Sequence, residues 1–203
     1  TMSKVAVIGA GIIGLSLAYY LKKNRCPRVL VLEKEASWLT GSSARANGGF
    51  RQQFSTPINI RMSQISIPVF ENFQEEFNTD IGLRQYGYLF VTANQERALN
   101  MKTNLDLQKS HGVPVEWLTP PEIHRLAPFL KSEDLLGGTF CASDGYADSY
   151  SIAAGFGSRA RDLGAKVEME QTVEKILVNN KSLQGVVTTK DEIHTPCLVN
   201  AAG

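Results

Sequence analysis

Val5-Ala6-Val7-Ile8-Gly9-Ala10-Gly11-Ile12-Ile13-Gly14-Leu15-Ser16-Leu17-Ala18-Tyr19-Tyr20-Leu21 joins a short apolar run, a glycine-rich turn and a stretch of helix length and composition. A continuous run of Val and Ile without alternation is what a strand buried on both faces of a parallel sheet needs. A second such run, Val29-Leu30-Val31-Leu32, ends in Glu33. Strand, turn, helix and strand in this order, with glycines spaced G-x-G-x-x-G, make a dinucleotide-binding unit. Gly9 allows the tight turn, Gly11 lets the backbone approach a pyrophosphate, and Gly14 lets the helix pack close to the sheet, with Ala18 continuing the small face. The helix start at Ile12 and Ile13 turns free N–H groups and a positive dipole end toward the phosphates. Glu33 is placed to accept hydrogen bonds from a ribose hydroxyl pair. An acid there disfavours a 2′-phosphate and so NADP; the unit alone does not separate FAD from NAD.

Around this unit the composition is that of an ordinary globular protein. At about 150 residues per domain, 203 residues allow one large domain or two small interleaved ones. The net charge of +1 gives no electrostatic reason to invoke nucleic acid or an anionic membrane surface. Cys26, Cys141 and Cys197 are odd in number, far apart and without a CxxC pair, so neither a disulfide framework nor a zinc site is expected, and a reducing compartment fits best. The glycines break the apolar opening below the unbroken length of ~20 residues that a membrane span needs, and no basic region or small-residue cleavage site marks a secretory signal. The expected setting is soluble, intracellular and cytoplasmic.

The residues after Glu33 point to a family. Glu33-Lys34-Glu35, followed by Thr40-Gly41-Ser42-Ser43-Ala44-Arg45-Ala46-Asn47-Gly48-Gly49-Phe50-Arg51-Gln52-Gln53-Phe54, resembles the D-amino-acid-oxidase-like family of FAD-dependent oxidoreductases. In that family a Ser/Gly-rich loop runs along the pyrophosphate and ribityl chain to the isoalloxazine ring. Small hydroxyl and glycine residues suit such a loop, because they bring backbone N–H groups against a long ligand.

The resemblance continues along the chain. Ser55-Thr56-Pro57 starts a helix, with a hydroxyl cap and proline in the first turn. Ile58, Met62, Ile65, Val69, Phe70, Phe73 and Phe77 follow at roughly helical spacing and are read as core, with a kink near Pro68. Residues 83–85 and 87–91 read as two short strands opening a substrate-binding sheet. A polar helix over 94–109, a strand over 115–118 and a helix capped by Thr119 come next. Residues 135–140 and the Asp144-Gly145 turn lead back into the FAD domain. Ser149 stands where the family commonly has proline, which leaves the cap of the helix over 150–163 to Asp148 and its stop to Gly164. Residues 165–169, 173–178, 185–189 and 193–199 alternate as strands. The last ends in Val199-Asn200-Ala201-Ala202-Gly203, similar to the family's small-residue turn beside the FAD phosphates and ring.

The expected fold class is α/β, a Rossmann-like doubly wound sheet carrying an inserted α+β segment. Its expected division is an FAD-binding domain over 1–82, part of a substrate domain over 83–143, and the FAD-binding domain continued over 144–203. Family members are close to twice this length, so the chain is read as their N-terminal portion.

No HxxxH or HxH spacing relates His111, His124 and His194, so no metal is expected, and there is no GxSxG elbow. A cofactor must then carry the chemistry. The resemblance implies FAD and oxidation of the C–N bond of a small amine or amino acid of the sarcosine, glycine, proline or dimethylglycine kind. Hydride passes to the flavin, and electrons pass on to oxygen or a protein acceptor; further subunits are compatible with this. Cofactor contacts are expected at Gly9, Gly11, Ile12, Ile13, Gly14, Glu33, Lys34, Ser42, Ser43, Arg45, Asn47, Gly48, Gly49, Val173, Ala201, Ala202 and Gly203. Arg51 and Gln52 are the catalytic candidates. A guanidinium can bind a substrate carboxylate in a bidentate way or stabilise charge on reduced flavin. Gln53 is a further candidate to hydrogen-bond ring or substrate. Tyr86 and Tyr88 can line an amine cage or pack in the core, and core packing is the reading taken. The alternatives are an NAD-dependent dehydrogenase, which would need further βα units directly after Glu33, and an assembly subunit that binds FAD without turnover.

Overall fold

The expected opening unit forms in a computed structural model that describes residues 4–203. Strand β1 (Val5–Ile8) leads into helix α1 (Ile12–Lys23) and strand β2 (Val29–Leu32). A single helical turn, α2 (Ser42–Arg45), and a two-residue strand, β3 (Gly49–Phe50), precede the long helix α3 (Pro57–Glu71) and the short α4 (Phe73–Phe77). Then come β4 (Tyr88–Thr92), α5 (Gln95–Ser110), β5 (Val115–Leu118), α6 (Pro120–Leu126), β6 (Gly137–Cys141) and β7 (Gly145–Tyr146). Helix α7 (Ser149–Asp162) and strands β8 (Lys166–Glu168), β9 (Val173–Asn179), β10 (Ser182–Thr188), β11 (Glu192–His194) and β12 (Leu198–Asn200) complete the chain.

By internal contacts these elements form two compact units. The first takes in the chain through Asn47, Phe73–Ile81 and Asp148–Gly203; the second is Gly48–Asn72 with Gly82–Ala147. This division by contact differs from the sequence division at 82/83 and 143/144. Ile60 of α3 is the reason for part of it, since it packs in one cluster with Leu105, Val113, Val115 and Cys141.

The first unit is built on a parallel sheet in the order β12-β1-β2-β8, with Val5 opposite Val29 and Ile8 opposite Leu32. The four residues of β2 are all buried, as a central strand of a parallel sheet requires. A three-stranded antiparallel sheet, β11-β10-β9, packs through Val186 and Ile193 against Leu30 and Leu32. On the helical side Tyr19 of α1, Phe73 and Phe77 of α4, and Phe156 of α7 form a ring cluster, with Phe73 stacked on Phe77 at 4.2 Å. Its rim is polar: Glu76 accepts hydrogen bonds from the Tyr19 hydroxyl and from Lys23. The Lys23 bond comes first in holding the Glu76 carboxyl below the usual carboxylate range. The second unit is α+β: an antiparallel sheet in the order β4-β6-β5 with α3 and α5, and the small β3-β7 pair. Among the described residues no helix is long and apolar enough to cross a membrane.

Four sequence expectations are corrected. The stripe from Ile58 to Phe77 is core only in part: Ile58, Met62 and Ile65 are 63%, 52% and 64% exposed, while Ile60 and Ile67 are buried. The inward face of α3 is rotated from the one that the long apolar series suggested, because α3 ends at Glu71 and Phe73 and Phe77 belong to the next helix. The helix runs on through Pro68, as the expected kink allows, and breaks at Asn72, whose amide N–H and side chain both donate to the Pro68 carbonyl. Residues 83–85 form no strand, only a bridge between Arg84 and Tyr146, and Tyr86 is 74% exposed rather than core. Residues 193–199 are not one strand. The Thr195 hydroxyl donates to the Cys197 carbonyl across Pro196, and this turn moves the chain from β11 of the antiparallel sheet to β12 of the parallel one.

Candidate functional site

The ends of β1, β2 and β12 meet the start of α1 around a cavity of about 600 Å³ in the first unit. Sterics dictate the glycines there. Gly9 has φ +100°, and a Cβ on it would lie 2.5 Å from the Ala201 carbonyl oxygen. A Cβ on Gly14 would lie 1.9 Å from the Gly9 carbonyl oxygen, so only glycine lets α1 lie this close to the turn. Gly11 differs: a Cβ there would meet only the Ser43 hydroxyl, at 3.4 Å, so its missing side chain leaves room beside the helix N-terminus. That room lies where the positive end of the helix dipole favours an anion.

Glu33, buried at the end of β2, accepts the Ala10 N–H on Oε2 at 2.7 Å and the Glu35 N–H on Oε1 at 3.1 Å. These bonds fix the carboxylate on the cavity wall. The loop after β2 closes over the cavity. Ser43 accepts the Ile12 N–H at 3.1 Å, and its own carbonyl accepts the Ser149 hydroxyl at 2.7 Å. The Ser149 hydroxyl thus ties the loop to the first turn of α7, a bond that proline at this position could not make. Asp148 caps that helix, accepting the Ser151 N–H at 2.9 Å.

Of the residues expected to contact a cofactor, Gly9, Gly11, Ile12, Ile13, Glu33, Lys34, Ser42, Ser43, Arg45, Ala201, Ala202 and Gly203 line this one cavity. Gly14 sits behind it, and Val173 lies outside this lining, its side chain packed with Leu30, Leu32, Val186 and Ile193. Asn47 is exposed at the end of the first unit, while Gly48 and Gly49 begin the second. Glu35, Leu39, Thr40 and Gly41 also line the cavity and are not among the expected contacts. The signal for Leu39 is conformational: it is buried with φ +63°, which no residue-type pattern announces.

In the second unit the catalytic candidates lie on a strap after β3. The Arg51 guanidinium stands 4.8 Å from the Phe54 ring centroid and 5.4 Å from that of Phe90. Its Nε is buried without a hydrogen-bond partner among the described residues. Arg51 lines two cavities, one of about 320 Å³ against α3 and one of about 420 Å³ against α5. Gln52 is buried, its N–H bonded to Asp144 Oδ1 at 2.8 Å and its side chain donating to the Ser143 hydroxyl at 2.8 Å. Gln53 donates to the Tyr88 carbonyl at 2.8 Å and to Asp144 Oδ2 at 3.1 Å. Burial pushes the Asp144 carboxyl up, opposed by the donors from Gln53 and Gln52. Burial likewise raises the Cys141 thiol, which keeps it a poor nucleophile.

A parallel sheet, a glycine-lined helix start and an acid closing the second strand define a dinucleotide-binding α/β protein. The model of the family DAO, FAD dependent oxidoreductase, matches residues 4–203, and the chain belongs to this family. It is 29% identical over 202 residues to mitochondrial dimethylglycine dehydrogenase of Rattus norvegicus, which covers 99% of this chain and 23% of that protein. It is 25% identical over 201 residues to the mitochondrial pyruvate dehydrogenase phosphatase regulatory subunit of Mus musculus, covering 99% of this chain and 23% of that protein. Among solved structures it matches L-proline dehydrogenase from P. horikoshii with a TM-score of 0.91 and 32% identity, over all of this chain and 53% of that one. The chain thus spans between about a quarter and half the length of these proteins.

Proposed function

We propose that this chain holds FAD and forms part of an enzyme that oxidises the C–N bond of a small amine or amino acid of the sarcosine, glycine, proline or dimethylglycine kind. The observation that carries the reading is the cavity at the start of α1. It has room beside Gly11 for a pyrophosphate and a buried Glu33 carboxylate for a ribose. The room beside Gly11 and the Glu33 carboxylate suit the phosphates and ribose of FAD. Gly9, Gly11, Ile12 and Ile13 would hold the pyrophosphate, Glu33 and Lys34 the ribose, and Ser42, Ser43, Arg45 and Asn47 the chain leading to the ring. The Ala201–Gly203 turn would lie along the ring end, and the Val173 backbone near the adenine. When bound, FAD supplies the hydride acceptor that no side chain of this chain can replace.

The chain's own part in the reaction is positioning and charge. Arg51 would bind a substrate carboxylate or offset negative charge on reduced flavin, a role suited to a half-buried guanidinium whose Nε has no hydrogen-bond partner among the described residues. Gln52 holds the strap through its own hydrogen bonds and presents backbone next to Arg51. Electrons would leave to oxygen or to a protein acceptor. We place the protein in an intracellular compartment; fractionation decides between the cytoplasm and the mitochondria of the two relatives.

The test is a visible spectrum of the full-length protein, identification of any chromophore released by heat, and anaerobic titration with sarcosine, glycine, L-proline and dimethylglycine. A yellow protein that releases FAD and is bleached by one of them is the expected result. A colourless, folded protein that binds NAD overturns the reading. A second reading rests on the likeness to a regulatory subunit: a protein that retains FAD but is bleached by no amine or amino acid serves as a non-catalytic FAD-binding assembly subunit.

A further inference from the structure

Asp144 has no exposed surface, yet it lies in a turn between two strands, where an acid is ordinarily solvated. Both its oxygens are in use. Oδ1 accepts the Gln52 N–H at 2.8 Å and Oδ2 accepts the Gln53 side chain at 3.1 Å. Its own backbone is tied as well: the N–H donates to the Cys141 carbonyl at 3.2 Å, and the carbonyl accepts the Gly87 N–H at 3.0 Å. The turn is therefore held by bonds that do not involve the strap.

Beside it, the β3-β7 pair sets Gly49 opposite Tyr146 and Phe50 opposite Gly145. Arg51 thus lies between two fixed points, the ladder that ends at Phe50 and the carboxylate at Gln52. Those constraints determine where its backbone points the guanidinium, which then rests between Phe54 and Phe90. A carboxylate here costs desolvation that a neutral turn residue would not. An asparagine could not replace it, because it presents one acceptor and one donor to two donors.

We propose that Asp144 is the positioning residue of the Arg51–Gln52 strap, setting the backbone at Gln52 and through it the direction of Arg51. The inference rests on the proposed catalytic role of that strap.

The test uses the full-length, FAD-loaded protein with Asp144→Asn, Arg51→Met and the double variant. Hydrogen exchange is followed on peptides spanning 49–54, together with flavin reduction by whichever of sarcosine, glycine, L-proline or dimethylglycine bleaches the wild type. Asp144→Asn is expected to speed exchange of that peptide while β4 and β6 peptides stay unchanged, to keep the FAD content, and to slow flavin reduction by about tenfold or more. In the Arg51→Met background the same change is expected to cost less than about twofold, because two residues acting through one strap are not additive. Should Asp144→Asn fail to fold, Gln53→Met removes one of the two donors to the carboxylate and is expected to loosen the same peptide. Unchanged exchange over 49–54, or fully multiplicative losses in the double variant, overturns the inference. An Arg51→Met protein that is reduced at the wild-type rate overturns the role of Arg51 and the inference with it. A slow Arg51→Met beside a full-rate Asp144→Asn overturns the inference alone.

Discussion

Glu33 commits both carboxylate oxygens to backbone N–H groups, of Ala10 at 2.7 Å and Glu35 at 3.1 Å, and still forms part of the cavity wall. The charge, and not only the shape, therefore matters: a glutamine keeps the volume but turns a donor toward one of two donors. Glu33→Gln is expected to weaken FAD binding by about tenfold, the loss of roughly one charge-assisted hydrogen bond. The measurement is FAD affinity of the apoprotein by flavin fluorescence quenching, and unchanged affinity removes Glu33 from the ribose site. Gly14 works through space alone. A methyl group there would lie 1.9 Å from a backbone oxygen, with no flexible side chain to yield. Gly14→Ala is expected to cost about 1–3 kcal/mol by overpacking, seen as a lower Tm in thermal unfolding. The steric role of Gly14 was legible in the glycine spacing, but the sealing of Asp144 was not: an Asp-Gly pair signals an exposed turn, and its partners Gln52, Gln53 and Gly87 are distant in sequence.

At the scale of elements, α7 shows how a charge sets a helix start. Asp148 accepts the Ser151 hydroxyl and N–H and the Tyr150 N–H, and the Ser151 hydroxyl bond comes first in holding its carboxyl below the usual range. A carboxyl depressed in the folded state stabilises above its unfolded value, about 3.9, and that contribution is lost as pH falls through the folded value. Asp148→Ala is expected to cost about 1 kcal/mol at pH 7, with the gap to wild type narrowing below about pH 4. Thermal unfolding of both proteins across that range checks it; a gap independent of pH would mean that the charge is not what caps the helix. The helix and its Asp148 cap were legible because capping and periodicity are local signals. Three other elements were not. The phase of α3 depends on which side meets Leu105 and Val115, the break between β11 and β12 on a turn at Thr195, and the β3-β7 pair on two residues from each of two distant segments. Each is decided by tertiary partners, to which a local pattern is blind.

For the molecule as a whole, the lining of the glycine-rich cavity belongs to one compact unit, with a measurable consequence if FAD binds there. The cavity's lining comes from the β1–α1 turn, the end of β2, the loop through α2 and the Ala201–Gly203 turn, all in the first unit. A ligand raises, by mass action, the free energy of every opening that releases it, by about 2.7 kcal/mol at a hundred times its Kd, and leaves local openings that keep it bound unchanged. The β4-β6-β5 sheet of the second unit lines none of that cavity and has its own core in Ile60, Val113, Val115 and Cys141. Removing FAD from the full-length protein is therefore expected to raise hydrogen exchange in peptides over 9–16, 33–47 and 199–203. Those of β4, β5 and β6 are expected to exchange as before. Equal deprotection in both sets would mean that FAD is held by both units to a similar degree, and the assignment of its main contacts to the glycine-lined cavity would fall.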